Sequence, residues 1–113
     1  MSTIFNKIIN KEIEADIIYE DDQSLAFKDT NAQAPIHFLI IPKKEIPSIN
    51  EINDEDKKLI GHLFLVAKKI AKKYDINESG YRIVCNCNKD AGQTVFHIHF
   101  HLLAGRKLQW PPG

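Results

Sequence analysis

Phe96-His97-Ile98-His99-Phe100-His101-Leu102-Leu103 sets three of the chain's five histidines at every second position, with apolar residues between them. In an extended strand successive side chains point to opposite faces. The pattern therefore predicts a strand with His97, His99 and His101 on one face and Ile98, Phe100 and Leu102 on the other. One face is then free for chemistry and the other builds a core. A rise of about 3.3 Å per residue puts neighbouring histidines roughly 6.6 Å apart and the outer two about 13 Å apart. One metal ion cannot take all three. A zinc site on an adjacent pair needs a third ligand from elsewhere, such as His37 or a cysteine.

Phosphorus-centred chemistry is the second reading of the same row. A neutral imidazole is a nucleophile near pH 7, and its protonated form donates to phosphate. The middle histidine, His99, then attacks while a flanking one, such as His101, holds an anionic group. A row of merely solvated or satisfied histidines is the plain alternative, and it accounts for one such residue far better than for three among β-formers. Just upstream, Asp90-Ala91-Gly92-Gln93-Thr94-Val95 reads as a turn. Such a loop brings backbone N–H groups to an anion, with the Thr94 hydroxyl and Gln93 amide as further donors, although alone it is an ordinary turn.

With 113 residues the chain is long enough for one domain and one core. Fifteen basic residues balance fifteen acidic ones, so no global field favours nucleic acid or an anionic membrane, and a small ligand is the expected partner. No stretch approaches the roughly 20 apolar residues that span a bilayer, and Met1-Ser2-Thr3 lacks a basic region followed by an apolar one. Cys85 and Cys87, one residue apart, do not close an unstrained disulfide, and free thiols fit a reducing compartment. The expected location is the cytoplasm, with entry to a nucleus by diffusion in a eukaryotic cell.

The remaining elements follow from periodicity. Ser2 or Thr3 caps a short helix to about Asn10 that buries Ile4, Phe5, Ile8 and Ile9. Ile17 to Glu20 and Leu25 to Lys28 flank the turn Asp21-Asp22-Gln23 as a hairpin, and Ile36 to Ile41 is a third strand between Pro35 and Pro42. From Asn53 to about Tyr74 a helix carries acids in its first turn and lysines in its last two. Its apolar residues span an arc of about 160°, wider than one core contact requires, which predicts a second packed surface and hence a homodimer. His62, Lys57 and Lys58 read as solvated. Tyr81 to Asn86 is a fourth strand and the histidine row a fifth. Short connections favour antiparallel pairing, so the fold class is α+β.

Together these residues resemble the histidine-triad (HIT) nucleotide-binding hydrolases, particularly the Hint branch. His97 to Leu103 meets the triad pattern. The likeness runs from Ile4-Phe5-Asn6-Lys7-Ile8-Ile9 through Ala34-Pro35-Ile36-His37-Phe38 to the terminal Trp110-Pro111-Pro112-Gly113. The resemblance implies a single HIT domain over residues 1–113, with a five-stranded antiparallel sheet, two helices, and the sheet continued across a homodimer. It implies hydrolysis of the P–N bond of purine nucleoside 5′-monophosphoramidates through a nucleotidyl-histidine, with no cofactor and no metal.

By the same resemblance His99 is the nucleophile, His101 the phosphate donor, His97 a brace and His37 an orienting or proton-relay residue. Thr94 assists the leaving group. Asp29 and Thr30 hold the ribose, although alone Asp29 reads as a turn residue. Phe5, Ile8, Ile13 and Phe27 form the base slot, with plain core as the competing reading. Asn86, Gly92 and Gln93 contact the phosphate side. Residues 105–113, with Trp110, approach the partner's active site and shape its leaving-group pocket. Thr94 stands where the branch usually has serine, Lys28 where it has histidine, and Cys87-Asn88 where it has an acidic-glycine pair. These departures bear on substrate choice. The rival readings are a dinucleoside polyphosphate hydrolase of the same superfamily and a nucleotide-binding regulatory scaffold.

Overall fold

A computed structural model describes residues 3–113; Met1 and the alternative cap Ser2 lie outside the described residues. Thr3 caps helix α1 (Ile4–Ile9), its hydroxyl accepting from the Phe5 N–H while Asn6 reaches back to the Thr3 backbone. Strands β1 (Ile17–Glu20), β2 (Ser24–Lys28) and β3 (Ile36–Pro42) follow, then helix α2 (Lys57–Lys73) and strands β4 (Tyr81–Val84) and β5 (Phe100–Ala104). They form one five-stranded sheet in the order β1-β2-β3-β5-β4, antiparallel throughout, with two helices. This is the α+β architecture expected of a HIT-like chain.

Alternation along the strands divides the core in two. Ala26, Phe38, Ile40, Phe100, Leu102 and Ala104 face α2, where Leu63, Val66, Ala67 and Ile70 cover them. Leu25, Phe27, Leu39 and Ile41 face the opposite way and pack against Phe5 and Ile8 of α1. Burial of such apolar side chains stabilises each layer by about 1.5–3 kcal/mol per residue. Because α1 has only six residues, it covers its sheet face incompletely. The uncovered part is where a cavity opens.

Three expectations need correction. The histidine row is not one continuous strand: β5 begins at Phe100, because the Ile98 N–H is taken by the Ile46 carbonyl at 2.7 Å and Pro42 has no N–H with which to extend the ladder. His97 and Ile98 lie ahead of that strand, and both are fully buried. Ile4 of α1 is half exposed instead of buried. The second helix starts at Lys57, since Asn53 and Asp56 cap each other around a tight 3-10 turn at Asp54–Asp56.

His62 is not simply solvated. Its Nε2 lies 2.7 Å from Asp21 in the β1–β2 turn, clamping α2 to the hairpin. Asp21 also accepts from the Tyr19 hydroxyl, the Gln23 and Ser24 backbone N–H groups and the Ser24 hydroxyl. Burial pushes its carboxyl up, but the hydrogen bonds from Tyr19, Gln23, His62 and Ser24 outweigh it and hold Asp21 well below the usual carboxylate range. Asp21→Ala removes all of these partners and is expected to destabilise the fold by about 2 kcal/mol. A depressed carboxyl contributes above its unfolded pKa and loses that contribution as pH falls through its folded value. Urea melts at neutral pH and near pH 3 check this: the gap between wild type and variant should narrow in acid.

Candidate active site

The cavity has a volume of about 560 Å³ and lies on the α1 side of the sheet. Ile4, Phe5 and Ile8 of α1, Ile13, Phe27 of β2 and Leu39 of β3 make its apolar wall. Asp29, Thr30, Thr94, His99 and His101 belong to the polar one, together with Glu14, Asp16, Lys28 and Asn31. Cavities of this size with a few convergent polar groups suit a small ligand. The slot residues expected from the sequence, Phe5, Ile8, Ile13 and Phe27, therefore meet in one place. Leu39 was not anticipated, yet the signal was present: it is the register partner of Phe27 and shares its face.

The hydrogen-bond partners fix the tautomers, because a carbonyl only accepts and a backbone N–H only donates. His99 Nδ1 sits 2.7 Å from the His97 carbonyl, so Nδ1 carries the proton and donates it. Nε2 of His99 is left with a lone pair. His97 in turn donates Nε2–H to the Pro42 carbonyl at 2.7 Å, which anchors the residue whose carbonyl aims His99. Its Nδ1 has no partner among the described residues. Phe5 packs edge-on against His99 with ring centroids 5.0 Å apart.

A second chain of contacts sets His101. The Gln33 N–H donates to His37 Nδ1 at 3.0 Å, which places the His37 ring proton on Nε2. From there it is donated to His101 Nδ1 at 2.9 Å. His101 must then carry its own proton on Nε2. The two histidines that line the cavity thus differ: His99 offers a lone pair and His101 a donor. Gln33 carried no sequence signal, since only its backbone acts.

Asp29, His37 and His101 present ligand-type atoms within 4.8 Å of one another. The donor set does not fit a cation. A metal-binding imidazole donates its second nitrogen's proton outward, whereas His37 accepts there from Gln33 and keeps its proton on the nitrogen a metal requires.

Burial pushes all four of these imidazoles below the ordinary value of 6.5. For His101 burial is joined by the neighbouring His99 and His37, and its pKa falls to about 4. For His99 burial outweighs the His97 carbonyl, which favours the protonated form. A depressed His99 keeps its lone pair as pH drops through 6.5. We expect kcat/KM to stay level through that pH and to decline only further into acid. A profile from roughly pH 4 to 9 checks it, and an acid limb at or above 6.5 contradicts the assignment.

Several predicted residues lie elsewhere. The Gln93 side chain is buried and fully committed: its amide donates to the Pro47 and Val95 carbonyls and accepts from the Asn88 N–H. It braces the loop rather than reaching into the cavity. Asn86, beyond the end of β4, and Gly92, whose φ of 84° makes the loop's left-handed turn, do not line the cavity either. His37 lies behind His101 and lines a smaller adjoining cavity of about 200 Å³. Trp110 is 81% exposed. Cys85 packs toward the α2 side, where burial and the neighbouring Cys87 push its thiol up to about 11, unsuited to nucleophilic work.

Comparison with known proteins agrees with this fold. A family model described as the HIT domain matches residues 10–108. An uncharacterized HIT-like protein of Synechocystis is 53% identical over 111 residues, covering 98% of this chain and 96% of that protein. The crystal structure of a HIT family hydrolase from Legionella pneumophila superposes with a TM-score of 0.97 at 49% identity, covering 99% of this chain and all of that one. A histidine triad nucleotide-binding protein from Candida albicans superposes at 0.83 with 32% identity, covering 97% and 83% of the two chains. With its fold, its triad and these relatives in agreement, the chain belongs to the HIT domain family.

Proposed function

We propose that this protein is a purine nucleoside phosphoramidase of the Hint branch. It hydrolyses the P–N bond of nucleoside 5′-monophosphoramidates to nucleoside monophosphate and amine. The observation that carries the reading is the opposed protonation of His99 and His101 on one cavity wall. The Nε2 lone pair of His99 attacks the α-phosphorus, the P–N bond breaks, and the amine departs with a proton while a nucleotidyl-histidine forms. Water then displaces the imidazole and releases the monophosphate. The Nε2–H of His101 stabilises the charge that develops on the phosphoryl oxygen. Thr94, on the cavity wall, holds a hydroxyl with which to pass a proton to the leaving amine. The apolar slot takes the base and Asp29 with Thr30 the ribose. No cofactor takes part in these steps.

Phe64 and Leu65, more than half exposed on α2, and the open sheet edge at β4 support a homodimer that buries them. In that dimer residues 105–113 bring the exposed Trp110 to the partner's leaving-group pocket. Two free thiols support a reducing, cytoplasmic setting.

The test is AMP release from adenosine 5′-phosphoramidate compared with release from a dinucleoside polyphosphate, followed by chromatography with the oligomeric state measured on the same sample. Preference for the P–N substrate supports the reading. Preference for the P–O–P substrate moves it to polyphosphate hydrolysis. Binding without turnover of either leaves the scaffold reading.

A further inference from the structure

The one ring proton of His37 is donated to His101, and a carboxylate oxygen of Asp29 stands beside it without a hydrogen bond. Gln33 occupies Nδ1, so the ring's single proton lies on Nε2, which faces His101 Nδ1 at 2.9 Å and Asp29 Oδ2 at 3.4 Å. The other carboxylate oxygen of Asp29 already accepts from the Asn31 N–H at 2.8 Å. Oδ2 is the carboxylate oxygen nearer His37, and Asp29 also lines the cavity. The arrangement is held in place from behind: Arg106 donates to the Gln33 carbonyl at 3.0 Å, tying the loop that presents the Gln33 N–H to the segment after β5.

We propose that Asp29 transmits recognition of the sugar to the phosphate-binding imidazole. When vicinal hydroxyls donate to the Asp29 carboxylate, its charge draws less on the His37 ring proton, and the bond that Nε2–H already makes to His101 Nδ1 tightens. His101 is then locked with its own N–H toward the phosphoryl oxygen. The inference rests on the nucleotide reading above and deepens it: the preferred substrates are ribonucleotide derivatives, selected in the chemical step as well as in binding. His37 touches no substrate in this scheme. It is a positioning residue that carries the effect from Asp29 to His101.

An Asp29 that merely grips the sugar gives a different result, since a contact equally strong in ground and transition states affects KM alone. The experiment compares adenosine 5′-phosphoramidate with its 2′,3′-dideoxy analogue on the intact protein, with kcat and KM measured separately. For wild type, loss of the hydroxyls should lower kcat about tenfold and raise KM. In His37→Ala the kcat penalty should vanish while the KM penalty stays. In His37→Gln, which restores a donor toward His101, part of the kcat penalty should return. Equal kcat penalties in all three proteins overturn the coupling.

Imidazole nitrogen NMR of wild type with AMP and with 2′,3′-dideoxy AMP gives a readout independent of turnover. Only AMP should move the His101 Nδ1 signal. If AMP moves it but no phosphoramidate is cleaved, the coupling stands and the phosphoramidase reading fails. Identical shifts from both nucleotides, or none, overturn the coupling, and failure of AMP to bind overturns it together with the nucleotide reading.

Discussion

His99→Ala is expected to lower kcat for phosphoramidate cleavage by at least about 10⁴-fold while leaving the fold and nucleotide binding intact. The size follows from the route. On the proposed route the Nε2 atom of His99 bonds to phosphorus through its lone pair, and no other imidazole on the cavity wall duplicates it. His101 has its proton on the corresponding nitrogen, and His37 lies behind His101. The fold should tolerate the change, because His99 makes its one side-chain hydrogen bond to a backbone carbonyl and packs at the edge of the α1 layer. Acid-quenched wild type should show a protein adduct with the mass of one nucleotidyl group, absent from the variant. A variant that retains about a tenth of the wild-type rate sinks the covalent route.

His101→Ala should cost about 100- to 1,000-fold in kcat, the range seen when one donor is removed from a site of developing charge. The loss is smaller than for His99 because the bond-forming atom remains. It should fall mainly on kcat, since the phosphoryl oxygen gains charge on the way to the transition state. The same substitution strands the His37 Nε2–H, which then has Asp29 as its remaining partner. His101→Asn, which restores an N–H donor on a shorter side chain, should recover part of the rate. Single-turnover kinetics separate the outcomes: slow formation of the nucleotidyl-histidine supports charge stabilisation, and a defect confined to KM contradicts it.

Local pattern was enough to read much of the fold. Alternation in Leu25-Ala26-Phe27 and Phe38-Leu39-Ile40-Ile41 announces two-sided strands, because a period of two leaves few ways to bury both faces. The long helix was legible for a similar reason: a wide apolar arc with acids at one end and lysines at the other. Errors arose where a residue's partner lies far along the chain. His62 looked solvated until folding brought Asp21 beside it. Gln93 looked like a phosphate donor until the Pro47 carbonyl claimed its amide. The triad looked like one strand until Ile46 took the Ile98 N–H.

The candidate site divides along the same line. Sequence alone supplied the residue types: three alternating histidines, an acid after a strand, a hydroxyl before the row and a set of apolar residues that the fold gathers at the cavity. Their spacing also sufficed to put His99 and His101 near one another. Which nitrogen of each ring carries the proton was decided only by tertiary structure, through the His97 carbonyl for His99 and through Gln33 and His37 for His101. A tautomer is set by whatever donor or acceptor the fold places opposite the ring, and the acceptors and donors that matter here are backbone groups, which every residue possesses and no sequence distinguishes.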